Sequence, residues 1–217
     1  FKVCALRDIP IFTFINKMDR EARDPFELCE EIEAELGVET CPMNWPIGCG
    51  KEFKGVYDRA GKKIIHFTRN TNAKAAEATQ VELDDPKLVE LIGQARRDQL
   101  ADEIELLEGA GAEFDMERVR HGKLSPVFFG SALTNFGVEP FLEEFLRMTT
   151  PPLSRKAGDQ VVDAFDDDFS GFVFKIQANM NKAHRDRIAF VRVCSGRFDA
   201  DKEVYLVQQN RKVKLSR

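Results

Sequence analysis

The chain has 217 residues, 43% of them hydrophobic, with 32 Lys and Arg against 37 Asp and Glu and a formal net charge of −5. It is long and apolar enough to bury a core in one large or two modest domains, and its overall charge does not suggest RNA binding; any such contact must come from local basic patches. No run approaches 18 apolar residues, so no membrane span is expected.

The five cysteines, Cys4, Cys29, Cys41, Cys49 and Cys194, form no Cys-x-x-Cys pair and have no histidine partner nearby. Reduced thiols in a cytoplasmic protein, with no metal site, are the expectation. Phe1-Lys2-Val3 does not read as a natural start and no signal peptide opens the chain, so a fragment of a longer protein is expected.

The first predicted element is a short strand, Ile9 to Ile15, apolar enough to be buried on both faces of a parallel sheet. It ends in Asn16-Lys17-Met18-Asp19. In open α/β sheets ligands lie just beyond the carboxyl ends of such strands. A carboxylate at Asp19 can accept from both the ring N–H and the exocyclic amine of guanine, a pattern that adenine does not offer, and each such bond is worth about 1.5–3 kcal/mol. Asn16 could brace neighbouring loops and reach the purine, Lys17 could lay its stem over the ring, and Met18 is filler.

Asp24-Pro25-Phe26-Glu27 predicts a helix start, with an N-cap, a proline in the first position and an acidic residue three after the cap. Leu28, Ile32 and Leu36 mark its buried face and Gly37 its end.

From Cys41 to Leu124 the pattern changes, and the stretch is far longer than one strand-helix unit needs. Val56-Tyr57 and Ile64-Ile65-His66-Phe67 predict a hairpin around Arg59-Ala60-Gly61-Lys62. Residues 68–82 read as a polar loop, and Asp85-Pro86 as the start of one long helix with Leu88, Leu91, Ile92, Ala95, Ile104 and Leu107, ended by Gly109. Gly48-Cys49-Gly50-Lys51 is not a phosphate-binding loop, because Trp45 stands where that motif needs glycine and Glu52 where it needs Ser or Thr; a structural turn is expected.

Pro126 to Leu133 predicts a second apolar strand, closed by Gly130 and the small residues Ser131 and Ala132 before Leu133. Backbone N–H groups of Ser131 and Ala132 would suit the guanine carbonyl oxygen, where adenine carries an amine. Two strand ends then converge on one base.

Val138, Phe141, Leu142, Phe145 and Leu146 recur at helical spacing with Glu139, Glu143 and Glu144 outward, and Thr149-Thr150-Pro151-Pro152 closes the domain. Residues 153–169 read as a solvated linker. Its Asp166-Asp167-Asp168 cannot all face one metal ion, so solvation is the better account. From Ser170 the period becomes two, with Phe172, Phe174 and Ile176 on one face; Ile188 to Cys194 and Val204 to Val207 continue as the opening strands of a β-barrel.

Asn16-Lys17-x-Asp19 and Ser131-Ala132-Leu133 resemble the fourth and fifth guanine-recognition motifs of translational GTPases. The closer resemblance is to the bacterial class II peptide chain release factors. The resemblance runs through Pro10 to Glu21, Asn44-Trp45-Pro46-Ile47-Gly48-Cys49-Gly50-Lys51, Gly171 to Met180 and His184 to Val193.

It implies an α/β fold in which part of a P-loop-type GTPase sheet carries an inserted α+β subdomain and is followed by a partial antiparallel β-barrel. The implied organisation is GTPase domain over 1–41 and 126–152, insertion over 42–125, linker over 153–169 and start of the second domain over 170–217. The implied ligand is GTP or GDP, held at its base by Asn16, Lys17, Asp19, Ser131, Ala132 and Leu133, with Mg²⁺ expected in the full-length protein through residues outside this chain.

The implied partners are the ribosome, through small-subunit RNA, and class I release factors; no membrane and no DNA. His184, Arg185 and Arg187 are candidate RNA-phosphate contacts, as are Arg211, Lys212, Lys214 and Arg217. No Gly-x-x-x-x-Gly-Lys-Ser/Thr, no Asp-x-x-Gly followed by a catalytic histidine and no switch threonine occurs here, so no catalytic residue is assigned and this segment alone is expected not to hydrolyse GTP. Two other readings remain open at this point: a translocation or ribosomal-protection GTPase, and a ribosome-binding module that needs no nucleotide.

Overall fold

The computed structural model describes residues 1–68, 77–149, 151–178, 187–200 and 202–214. The chain divides into two compact units, Phe1–Thr149 and Thr150–Arg217.

The first unit opens with a single helical turn, α1 (Lys2–Ala5), and then β1 (Thr13–Ile15), shorter than the apolar run predicted. The Ile11 carbonyl accepts from the Ser125 hydroxyl, which also lies 2.9 Å from Thr13 Oγ1, so a side chain rather than a strand ladder holds the approach to β1. Helix α2 (Pro25–Leu36) forms as the sequence requires: Asp24 accepts from the N–H groups of Phe26 and Glu27, and Gly37 ends the helix at φ 65°. Strand β2 (Glu39–Pro42) follows.

Met43 is a hinge between two sheets. Beyond it run β3 (Asn44–Ile47), β4 (Gly55–Asp58), β5 (Lys63–Thr68) and β6 (Glu77–Glu82), an antiparallel sheet in sequence order. The 59–62 hairpin is as predicted, but residues 77–82 pair with β5 along their length instead of forming loop. They are mostly polar, and Val81, opposite Ile64, is the one large apolar side chain that fastens them to the core. Residues 69–76 of the expected loop lie outside the described residues.

The predicted long helix is two: α3 (Pro86–Ile92) and α4 (Gln94–Ala110), broken at Gly93, which takes φ 84°. Leu88, Leu100, Ile104 and Leu107 bury against the antiparallel sheet, while Arg59 donates to the Ala112 and Leu107 carbonyls and satisfies the end of α4. Helix α5 (Met116–Arg120) leads into β7 (Leu124–Phe129), and α6 (Val138–Met148) closes the unit.

The parallel sheet has the order β1-β7-β2. Strand β7 is therefore the central, wholly buried strand, whereas β1 is an edge strand and only half-buried, contrary to its predicted burial on both faces. Trp45 joins the sheets: its ring lies 4.4 Å from Phe26 and 5.5 Å from Phe129, and its indole N–H donates to Glu103 on α4. Helix α6 packs Phe141 and Phe145 against Phe12, Phe14 and Phe128, but Leu142 and Leu146, expected on the same face, are exposed.

Among the described residues the second unit has three antiparallel pairs: β8 (Arg155–Ala157) with β9 (Gln160–Val162), β10 (Ser170–Ala178) with β11 (Arg187–Ser195), and β12 (Glu203–Leu206) with β13 (Arg211–Lys214). The first pair lies within the stretch read as linker. No closed barrel forms among the described residues. Irregularities at Ser170/Gly171 and Val173/Lys175 break the strict alternation in β10, and Phe172, Val173, Phe174 and Ile176 are all exposed. In the acidic stretch, backbone carbonyls of Asp166 and Asp168 accept from the Gly196 N–H and the Ser195 hydroxyl.

Candidate functional site: two loops at the ends of adjacent parallel strands

Strands β1 and β7 are parallel neighbours in register Thr13↔Val127, Phe14↔Phe128 and Ile15↔Phe129, so both leave the sheet at the same level. The loops that follow carry Asn16, Lys17 and Asp19 on one side and Ser131, Ala132 and Leu133 on the other. Backbone bonds lace them: Gly130 N–H donates to the Ile15 carbonyl at 3.0 Å and Met18 N–H to the Gly130 carbonyl at 3.1 Å.

Side chains complete the connection. The Ser131 hydroxyl donates to Asp19 Oδ1 at 2.5 Å, and Ala132 N–H donates to Asn16 Oδ1 at 2.9 Å. Asn16 Oδ1 also accepts from Lys17 N–H, in a turn that puts Lys17 at φ 70°, a conformation costing a residue with a Cβ on the order of 1 kcal/mol. Met18 is not passive filler: it is buried in the main hydrophobic cluster and anchors the loop from below.

Five of the six predicted residues are thus locked to one another or to the adjoining strand ends. The sixth, Leu133, is 80% exposed at the rim. Asp19 Oδ1 is taken by Ser131, while Oδ2 has no hydrogen-bond partner among the described residues, so the carboxylate is oriented yet keeps accepting capacity.

The donors have a finer arrangement than the sequence suggests. Ser131 N–H is committed to the Phe136 carbonyl at 2.9 Å in a closed bridge, whose return bond runs from Phe136 N–H to the Ser131 carbonyl. Ala132 N–H is held only by the exposed Asn16 side chain, which can rotate away. Ala132, rather than Ser131, is the amide available to a ligand oxygen.

Sequence reading marked Gly130 as the close of the strand but missed what packs around it and the other supports of these loops. Gly130 has no room for a side chain: a Cβ there would lie 2.6 Å from the Phe136 carbonyl oxygen and 2.8 Å from the Phe14 ring. Phe136 in turn stacks on Phe67, centroids 4.9 Å apart. The Gly48-Cys49-Gly50 turn is structural as expected, but it also reaches back to the first loop, where Gly50 N–H donates to the Met18 and Arg20 carbonyls at 2.8 and 3.0 Å. Asn44 bonds the Phe129 backbone with both ends of its carboxamide. The signal for Asn44 was a lone amide heading an apolar run; Gly50 carried none.

Burial pushes the Cys29 thiol up to about 11 and raises that of Cys41, so both stay protonated and unreactive. Among the described residues no helix is long and apolar enough to cross a membrane, and no cluster of His, Cys, Asp or Glu could hold a metal ion. Of the candidate RNA contacts, Arg187 is exposed at the start of β11 and Arg211, Lys212 and Lys214 lie on β13; His184, Arg185 and Arg217 fall outside the described residues.

A buried parallel strand with glycine and small residues at its end, beside a strand ending in Asn-Lys-x-Asp, defines a nucleotide-binding domain of the elongation-factor class. The family model "Elongation factor Tu GTP binding domain" matches residues 1–151, and the chain belongs to that family. The model "Elongation factor G domain 2" matches residues 168–217.

Within the class, several curated relatives are named peptide chain release factor 3. That of Symbiobacterium thermophilum is 54% identical over 217 residues, that of Gloeobacter violaceus 51% over 218 and that of Synechococcus elongatus 53% over 220. All of this chain is covered in each case, but only 41%, 41% and 39% of those proteins, so the chain spans about two fifths of their length. A crystal structure of a protein from Thermus thermophilus matches 94% of this chain and 30% of that one at TM-score 0.58 and 22% identity, which supports the fold.

Proposed function

We propose that this chain carries the guanine-reading half of the nucleotide site of a translational GTPase, together with the first strands of its second domain. In the full-length protein, GTP binding and hydrolysis on the ribosome would then drive class I release factors off after the peptide has been freed. The observation that carries the reading is the double bridge between the loops, Ser131 to Asp19 and Ala132 to Asn16. It fixes a carboxylate and a backbone amide side by side, as the two edges of guanine require.

Asp19 accepts from the ring N–H and exocyclic amine. Ala132 N–H moves from Asn16 to the carbonyl oxygen, Lys17 and Leu133 cover the ring, and Asn16 is freed for the purine. The donor set suits GTP or GDP, and these residues select and orient the base. Phosphates and Mg²⁺ are held by residues outside this chain, and the segment alone hydrolyses no GTP. Residues 42–125 are an insertion into this domain, and the exposed cations of the second unit, Arg187 among them, meet small-subunit RNA in the cytoplasm.

The reading is tested with catalytic amounts of the full-length protein, GTP, ribosomes stalled after peptide release and limiting class I release factor. Multiple turnovers of that factor with GTP consumption are expected. GTP consumption with the factor still trapped would point to a ribosomal GTPase of another kind, and termination would fall.

A further inference from the structure

We propose that the inserted antiparallel sheet is a brace that sets the spacing of the two base-reading loops, and that Asn44 is its positioning residue. The inference rests on the guanine reading above. Pairing of β2 with β7 ends at Pro42↔Val127, and the last ladder bond runs from Met43 N–H to the Val127 carbonyl at 2.8 Å. The chain then bends away into β3, which pairs with β4.

The last residue of β7, Phe129, is thereby left without a strand on that side. The Asn44 carboxamide takes the strand's place: its oxygen accepts from Phe129 N–H at 2.7 Å and its NH₂ donates to the Phe129 carbonyl at 3.1 Å. Asn44 is only 4% exposed, so both backbone groups would be buried and unpaired without it.

Gly130, Ser131 and Ala132 follow directly, so Asn44 fixes the root of the loop that carries the amide for the base. The turn between β3 and β4 grips the opposite loop through Gly50, and β5 supports Phe136 through Phe67. Three contacts from the inserted segment thus converge on both loops. Positioning to within about 0.5 Å is what a binding constellation needs from its supports.

The test uses the full-length protein and equilibrium binding of GDP and IDP, which shares the 6-oxo group but lacks the 2-amine. Asn44→Ala should weaken both nucleotides about tenfold, the equivalent of one misplaced hydrogen bond, and leave their ratio unchanged because Asp19 is untouched. Val81→Ala, in the same sheet but away from both loops, should lower the melting temperature with GDP affinity within about twofold of wild type.

If Asn44→Ala does not fold, Asn44→Asp decides. It has the same size, keeps the acceptor for Phe129 N–H and should weaken GDP by about threefold or more. GDP binding within twofold of wild type in the deciding variant, or an equal loss in Val81→Ala, would overturn the brace. A failure of the underlying reading is seen separately: Asp19→Asn would then leave the GDP preference intact.

Discussion

At the scale of single residues the site is a set of commitments among hydrogen-bonding groups. Gly130 is the tightest of them, since any side chain there meets a backbone carbonyl and an aromatic ring that cannot yield cheaply. Gly130→Ala should destabilise the domain by about 1–3 kcal/mol, as overpacking generally does, read from urea unfolding followed by Trp45 fluorescence. Trp45 is the chain's single tryptophan, buried between the two sheets, and so reports directly on that core.

His66 gives a second residue-level expectation. Its Nδ1 is buried without a partner, and burial, aided by Lys54, lowers its pKa below the ordinary 6.5. A folded value below the unfolded one means that the unfolded chain binds the proton more readily. The contribution of neutral His66 is therefore complete above about pH 6.5 and is lost as the pH falls through that value toward the folded one. His66→Phe should flatten the dependence of the urea midpoint on pH between about 7 and 5; an unchanged slope would refute the assignment.

Elements show what the sequence made legible and what it did not. Helix α2 was readable from Asp24-Pro25 and Gly37 because caps are local chemistry, and Asp24→Ala should cost about 1 kcal/mol of stability by the same unfolding assay. The residues proposed to read the base stood out because their types and spacing carry a hydrogen-bonding pattern, and the structure brings Asn16, Asp19, Ser131 and Ala132 together. Strand β6 was not, since it owes its existence to pairing with β5 and to Val81 rather than to its own polar residues. Nor was the break at Gly93, because an isolated glycine inside a helical pattern is tolerated as often as it ends one. The role of Asn44 depends on where β2 turns away from β7, a tertiary event that its local signal, a lone amide heading an apolar run, does not reveal. Leu142 and Leu146 fit the helical period of α6 and are nonetheless exposed, which shows that periodicity marks an apolar stripe without saying how wide a stripe the fold covers.

On the scale of the whole molecule, the two units have different physical characters. The first buries a continuous core through both sheets; the second exposes apolar side chains along β10 and β11, and its strands form separate pairs. The family resemblance named a barrel, and the described residues supply only pieces of such a wall. If the second unit meets RNA, Arg187→Ala in the full-length protein should weaken ribosome binding and reduce the slope of log affinity against log salt by about one. An unchanged slope would remove Arg187 from the interface.

The central claim is that Asp19, held by Ser131 and set beside Ala132, reads guanine. The most direct test compares GDP and XDP binding to the full-length protein and to its Asp19→Asn variant by titration calorimetry. The carboxamide introduced by that substitution would offer a donor to the 2-oxo group of xanthine in place of an acceptor for the 2-amine of guanine. The account requires wild type to prefer GDP and the variant to prefer XDP. A variant that keeps wild-type affinity and selectivity for GDP would show that the base is read elsewhere.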